Sequence, residues 1–151
     1  MLLKTETLGE VLYQEQDILN FSQGIPGFEK FQKFLIIQQE EDLPFAYLQS
    51  IELDRLQFVL INPFIIYKSY EFELSSELLE ELEIESEEDV EIWCIVTVQE
   101  RVEETTVNLM APVVLNKTKR IGKQVVLHHW CYQTKHRLAD LMASESLNQG
   151  E

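Results

Sequence analysis

Apolar and polar residues alternate over short runs along most of the chain, the period of strands that bury one face. Turn-forming residues end each run. The spacing predicts strands over residues 10–13, 18–21, 34–38, 45–50, 57–61, 91–98, 106–110, 113–116 and 123–129. Ile36, Val59, Ile61, Ile92, Val96, Val98, Val113 and Val125 supply the β-branched content that a pleated surface favours. Many short strands at this spacing point to a sandwich or barrel, here an all-β, antiparallel, barrel-like domain with one short α-helix.

That helix is where the period breaks, over residues 74–82. Ser75 is placed to cap it, Glu77 sits favourably in its first turn, and Leu74 and Leu79 fit a hydrophobic staple across the cap. Leu78, Leu79 and Leu82 give it an apolar face to lay on an edge or open end of the barrel. Residues 113–127 read as a hairpin around a basic loop, 117–122, with Gly122 as its turn glycine. From about residue 139 the chain is polar and rich in small residues, a tail expected to add at most a fraying helical turn. Residues 1–138 are thus expected to form one domain and 139–151 a polar tail.

Composition narrows the class. A length of 151 residues suits one domain, and two cysteines are too few for a disulfide framework. The N-terminus lacks the apolar core of a signal peptide, and no apolar run approaches the roughly 20 residues that span a bilayer. The expected setting is the cytosol, with reduced thiols. The net charge of −15 opposes binding to nucleic acid and to anionic membranes, and it favours a basic protein partner, although solubility alone accounts for such a charge equally well. The charge is also polarised. Residues 71–91 hold eleven acids and no Lys or Arg, whereas residues 105–139 hold no acid and six of the twelve basic residues. Either adjacent strands pair the two blocks or the domain has one strongly acidic face.

A search for chemistry yields little. His128, His129, Cys131 and His136 form the one cluster of metal-like composition, but neighbouring residues on a strand point to opposite faces. Surface or rim histidines are expected, with no metal and no cofactor. Cys94 lies within the apolar run 92–96 and reads as a buried, inert thiol. There is no glycine-rich phosphate loop, and no carboxylate stands in an apolar setting that would raise its pKa. The alternative class is a small-ligand-binding β-barrel or an enzyme using the 128–136 cluster. A pocket of converging polar groups would favour it, and a barrel packed with side chains would count against it.

The distinctive motifs are turns and aromatics. Gly24-Ile25-Pro26-Gly27-Phe28-Glu29 sets a sharp bend, and Asn62-Pro63-Phe64 ends a strand, because proline cannot continue a central ladder. Phe45-Ala46-Tyr47-Leu48-Gln49-Ser50 places Phe45, Tyr47 and Gln49 on one face and Leu48 on the other. With Tyr70-Glu71-Phe72, Ile95-Val96-Thr97-Val98, Asn108-Leu109-Met110-Ala111-Pro112 and residues 122–127, in this order, the chain resembles the bacterial flagellar assembly factor FliW family from about residue 9 to 138. Asn62 stands where the family often has an acid, Met110 where it often has a base, and Trp130-Cys131-Tyr132 is less typical.

The resemblance implies a non-enzymatic cytosolic switch, monomeric when free, that binds flagellin and the carbon storage regulator CsrA, an RNA-binding repressor of flagellin translation. It implies no direct contact with nucleic acid. Aromatic and amide side chains at strand ends are the natural anchors for such partners: Phe45, Tyr47, Gln49, Asn62, Phe64 and Tyr70. Glu71, Asn108 and Lys123 fall in family-like blocks and join the list, while Gly24, Pro26, Gly27 and Pro63 are expected to shape turns.

Overall fold

The computed structural model describes residues 1–128 and 130–149, with 145–149 as backbone alone. Two short strands, β1 (Leu2–Thr5) and β2 (Gly9–Leu12), pair into a separate antiparallel hairpin. The larger sheet contains β3 (Leu19–Asn20), β4 (Lys33–Ile37), β5 (Phe45–Ser50), β6 (Gln57–Ile61), β7 (Val90–Thr97), β8 (Thr106–Val107), β9 (Val113–Asn116), β10 (Ile121–Gln124) and β11 (His136–Arg137). Its helices are α1 (Pro63–Ile66), α2 (Ser76–Glu81) and α3 (Leu138–Gln149).

The length of β7 closes the sheet. Its first half pairs with β9, from Val90↔Asn116 to Trp93↔Val113, while Cys94–Val96 pair with β6 on the other side. The ring then runs β7-β6-β5-β4-β3-β10-β9 and back to β7, a closed seven-stranded barrel. Its joints are antiparallel except β3–β10, which is parallel. The strands β8 and β11 extend the sheet beyond the ring from the far end of β7.

Strand alternation sends one set of side chains inward. Leu19, Phe21, Phe34, Ala46, Leu48, Leu60, Trp93, Val113 and Leu115 come from every ring strand except β10 or from chain beside it, and form one buried cluster. Side chains therefore fill the barrel, which counts against a ligand cavity within it. The opposite faces carry two further clusters. One gathers Ile61, Ile66, Tyr70, Cys94, Val107, Leu109 and Leu141, and the other packs Leu78 and Leu82 of α2 on Val114 of β9. No helix among the described residues is long and apolar enough to cross a membrane.

Several expectations need correction. Of the run 106–110 only Thr106–Val107 keeps strand geometry, and of the described part of the run 123–129 only residues 123 and 124 do, in a strand that begins at Ile121; residue 129 lies outside the described residues. Beyond these, Val125 and Leu127 donate singly to the Pro112 and Met110 carbonyls, and Pro112 has no N–H with which to continue a ladder. Strands β1 and β11 were not expected; β11, with two residues, is too short to show a period. The α2 helix covers a face rather than an edge, since β9 is hydrogen-bonded on both sides. Gly122 is not the turn glycine of its hairpin. The loop bends at Arg120, with φ +57°, whereas a Cβ on Gly122 would lie 2.6 Å from Leu115 Cδ2 and 2.7 Å from Phe21 Cζ. Gly122 is there for close packing. The polar tail is helical from Leu138 to Gln149, and Leu141 is buried beside Ile66 and Tyr70.

Candidate functional site

An open groove of about 760 Å³ lies against the outer side of the barrel wall. Val90 and Ile92 of β7 belong to it, on the face opposite the inward-pointing Trp93. Phe64 and residues 70–74 contribute a second part, and Leu79 with residues 84–87 a third. The lining is apolar (Phe64, Tyr70, Phe72, Leu74, Leu79, Ile84, Val90, Ile92), with carboxylates at Glu71, Glu73, Glu85 and Glu87.

Each part is held by local rules. Asn62 caps α1 by accepting the Phe64 N–H at 3.0 Å, with Pro63 in the first turn, and this sets where Phe64 stands. The Tyr70 hydroxyl donates to the Leu109 carbonyl at 2.6 Å, and its ring packs between Phe64, Phe72 and Tyr132 at centroid distances of 5.7, 5.3 and 4.7 Å. The Tyr132 hydroxyl donates to the Glu71 carbonyl and accepts the Glu71 N–H, each at 3.0 Å, so it pins the chain at the groove's rim. Ser75 caps α2 as expected, accepting from Leu78 N–H. At the other end Ile84 N–H donates to Leu79 and Glu83 N–H to Glu80, the Schellman pattern, with Glu83 in the left-handed region at φ +54°. That cap brings Leu79 and Ile84 together as groove residues.

Of the expected partner residues, the structure brings Phe64, Tyr70 and Glu71 to this groove and sets the others elsewhere. Phe45 and Tyr47 stand on the outer face of β5, exposed and half-buried. Gln49 shares that face but is fully buried, its amide bonded to the Ser50 and Asp54 carbonyls and to Gln57. Asn108 accepts Ala111 N–H, and Lys123 forms an ion pair with Glu81 at 3.0 Å. Gln49, Asn62, Asn108 and Tyr70 thus have partners inside the chain. The Lys123–Glu81 pair also joins the basic and acidic blocks, but it leaves the groove's four carboxylates without an ion pair among the described residues. Leu74 and Leu79 were legible as a staple, whereas nothing in their spacing marked Ile84 or Val90 as groove residues.

Gly24 and Gly27 have φ +66° and +91° around Pro26, and the Phe28 ring meets Phe58 edge-on at 5.4 Å. Glu29 accepts Gly27 N–H, which lowers the pKa of its carboxyl.

The described members of the 128–136 cluster do not form a group placed to hold a metal ion. His128 and Cys131 are exposed, His136 Nε2 accepts Gln133 N–H at 2.9 Å, and His129 lies outside the described residues. Among the described residues no group of three His, Cys, Asp or Glu is placed to hold a metal ion. Cys94 is buried with its Sγ 3.9 Å from the Tyr70 hydroxyl, and burial pushes its thiol pKa up to about 12. Because the thiolate is the reactive form, Ellman's reagent at pH 8 should titrate one thiol rapidly in the native protein, the exposed Cys131. In guanidinium both should react; two rapid thiols in the native state would contradict the burial of Cys94.

Comparison with known proteins agrees with this geometry. A family model described as FliW protein matches residues 2–138. The flagellar assembly factor FliW of Bacillus licheniformis is 45% identical over 135 residues, covering 89% of this chain and 94% of that protein. Those of Bacillus subtilis and Thermosipho africanus are 41% and 43% identical, covering 90% and 91% of this chain and 95% and 96% of theirs. A crystal structure of the flagellar assembly factor FliW superposes with a TM-score of 0.85 at 44% identity, over 91% of this chain and 96% of that one.

Proposed function

The chain belongs to the FliW family of flagellar assembly factors, and from that premise we propose that it is a cytoplasmic partner switch that acts by binding proteins and catalyses no reaction. Its two partners are flagellin and the translational repressor CsrA. Free protein takes up CsrA and relieves repression of flagellin synthesis, and accumulated flagellin recaptures it. The observation that carries this reading is the groove, where Phe64, Tyr70 and Glu71 share one concave apolar surface on the outside of a packed barrel. Such a surface suits a protein segment with apolar anchors. The overall charge of −15 fits a protein that docks beside a repressor's RNA site and repels the RNA phosphates without touching RNA itself.

The test is capture by the tagged chain from flagellated cells, with and without the flagellin gene. Flagellin should be recovered from the first and CsrA enriched from the second, both identified by mass spectrometry. Recovery of neither would end the proposal.

A further inference from the structure

We propose that the groove selects a segment of a protein partner that carries bulky apolar side chains flanked by Lys or Arg. The inference rests on the partner-switch reading and adds to it the location of the contact and its chemistry. Two properties of the groove determine the occupant. Its lining has eight apolar residues, so an occupant made only of polar residues would dehydrate them without return. Four carboxylates, Glu71, Glu73, Glu85 and Glu87, share the lining with no Lys or Arg. None of the four is in an ion pair among the described residues, and the one basic side chain that meets the acidic block, Lys123, is engaged with Glu81.

Four like charges around an apolar floor attract cations and repel phosphate and carboxylate. A nucleic acid is therefore excluded, and an acidic peptide disfavoured. The volume of about 760 Å³ admits several side chains. The apolar contacts supply affinity, and the rim supplies selection against acidic competitors.

Three fluorescein-labelled peptides of equal length test this by anisotropy: leucine with lysine, serine with lysine, and leucine with glutamate. The leucine–lysine peptide should bind at least about tenfold more tightly than either of the others, since loss of the anchors or a like-charge rim each costs more than a decade of affinity. Equal binding of the serine–lysine peptide would reduce the site to a diffuse negative field and overturn the proposal. The triple variant Glu73→Lys, Glu85→Lys, Glu87→Lys changes exposed side chains only. It should abolish most leucine–lysine binding, whereas Glu6→Lys, Glu10→Lys, Glu15→Lys, with the same charge change away from the lining, should alter it by less than about twofold. Similar losses in both variants would also overturn it.

Flagellin and CsrA capture by the same proteins separates the two readings. If the unaltered chain captures both and the groove variant does so equally well, the groove assignment is wrong and the partner switch stands. If the unaltered chain captures neither, the partner switch fails, whatever the peptides show.

Discussion

Replacing Gly24 by alanine should cost more stability than alanine at any other glycine among the described residues. Two effects coincide there. The backbone stands at φ +66°, where a Cβ costs roughly 1–2 kcal/mol in an L-residue. The added carbon would also lie 2.5 Å from Glu29 Cα and 2.8 Å from Glu29 O, both backbone atoms that cannot swing aside. Overpacking of that kind costs about 1–3 kcal/mol more, so the sum is roughly 2–5 kcal/mol. Set against total stabilities of about 5–15 kcal/mol, this threatens the fold. The bend matters because it seats Phe21 and Ile25, both buried in the barrel interior, on either side of Gly24.

Gly27 supplies the comparison. Its φ is +91°, but nothing lies within 4 Å of a built Cβ, so alanine there should cost only the backbone component of about 1–2 kcal/mol. Urea denaturation of the two variants should therefore give clearly separated midpoints with the same slope. Coincident midpoints would show that the contact with Glu29 relaxes freely.

The difference between these glycines marks what the sequence can and cannot say. The two glycines around Pro26 were legible as a bend from residue type alone, because only certain residues tolerate the required backbone. Which of them is also crowded depends on Glu29 folding back against Gly24, and no spacing rule carries that. The barrel followed the same division. Alternation set Leu48 on the face opposite Phe45, Tyr47 and Gln49, without saying which face is inward, and marked runs 45–50, 57–61 and 113–116 with their observed bounds. It did not reveal that β7 is shared between β6 and β9, which is a property of sheet closure rather than of any one strand.

The site was legible as residue types and not as a place. Aromatics and amides were both read as anchors, yet the amides Gln49, Asn62 and Asn108 hydrogen-bond within the chain. Backbone groups left over at turns and caps need such partners, and a single sequence does not show which amides will be taken. The acidic block fared better. Part of its charge faces a groove because the segments on either side of α2 pack on the barrel through Leu74 and Ile84, which leaves Glu71, Glu73, Glu85 and Glu87 in the lining.

Asn116 should be the polar residue whose loss is most damaging, although it was read only as the last residue of a strand. It is fully buried, and its side chain makes four hydrogen bonds. The amide nitrogen donates to the carbonyls of Leu82 at 2.9 Å and Glu83 at 3.0 Å. Its oxygen accepts the N–H groups of Thr118 at 3.1 Å and Lys119 at 3.0 Å. One side chain thus ties the end of α2 to the β9–β10 loop. Asn116→Ala leaves these groups without their partner, and buried polar groups stripped of a partner cost about 1–3 kcal/mol each. Since solvent reaches part of the loop, a total loss of roughly 3–5 kcal/mol is expected.

The effect should extend beyond stability. The carbonyls that Asn116 holds belong to the turn that sets Leu79 against Ile84, so its removal loosens one side of the groove. Glu83→Gly makes the opposite change at the same turn. It relieves a left-handed non-glycine residue and keeps the Asn116 bonds, which are to backbone, so it should stabilise by about 1 kcal/mol. Thermal melts and partner binding of both variants, measured below the transition of each, separate the two roles. If Asn116→Ala binds flagellin and CsrA with unchanged affinity while still folded, Asn116 supports the barrel alone and the groove keeps its shape without it.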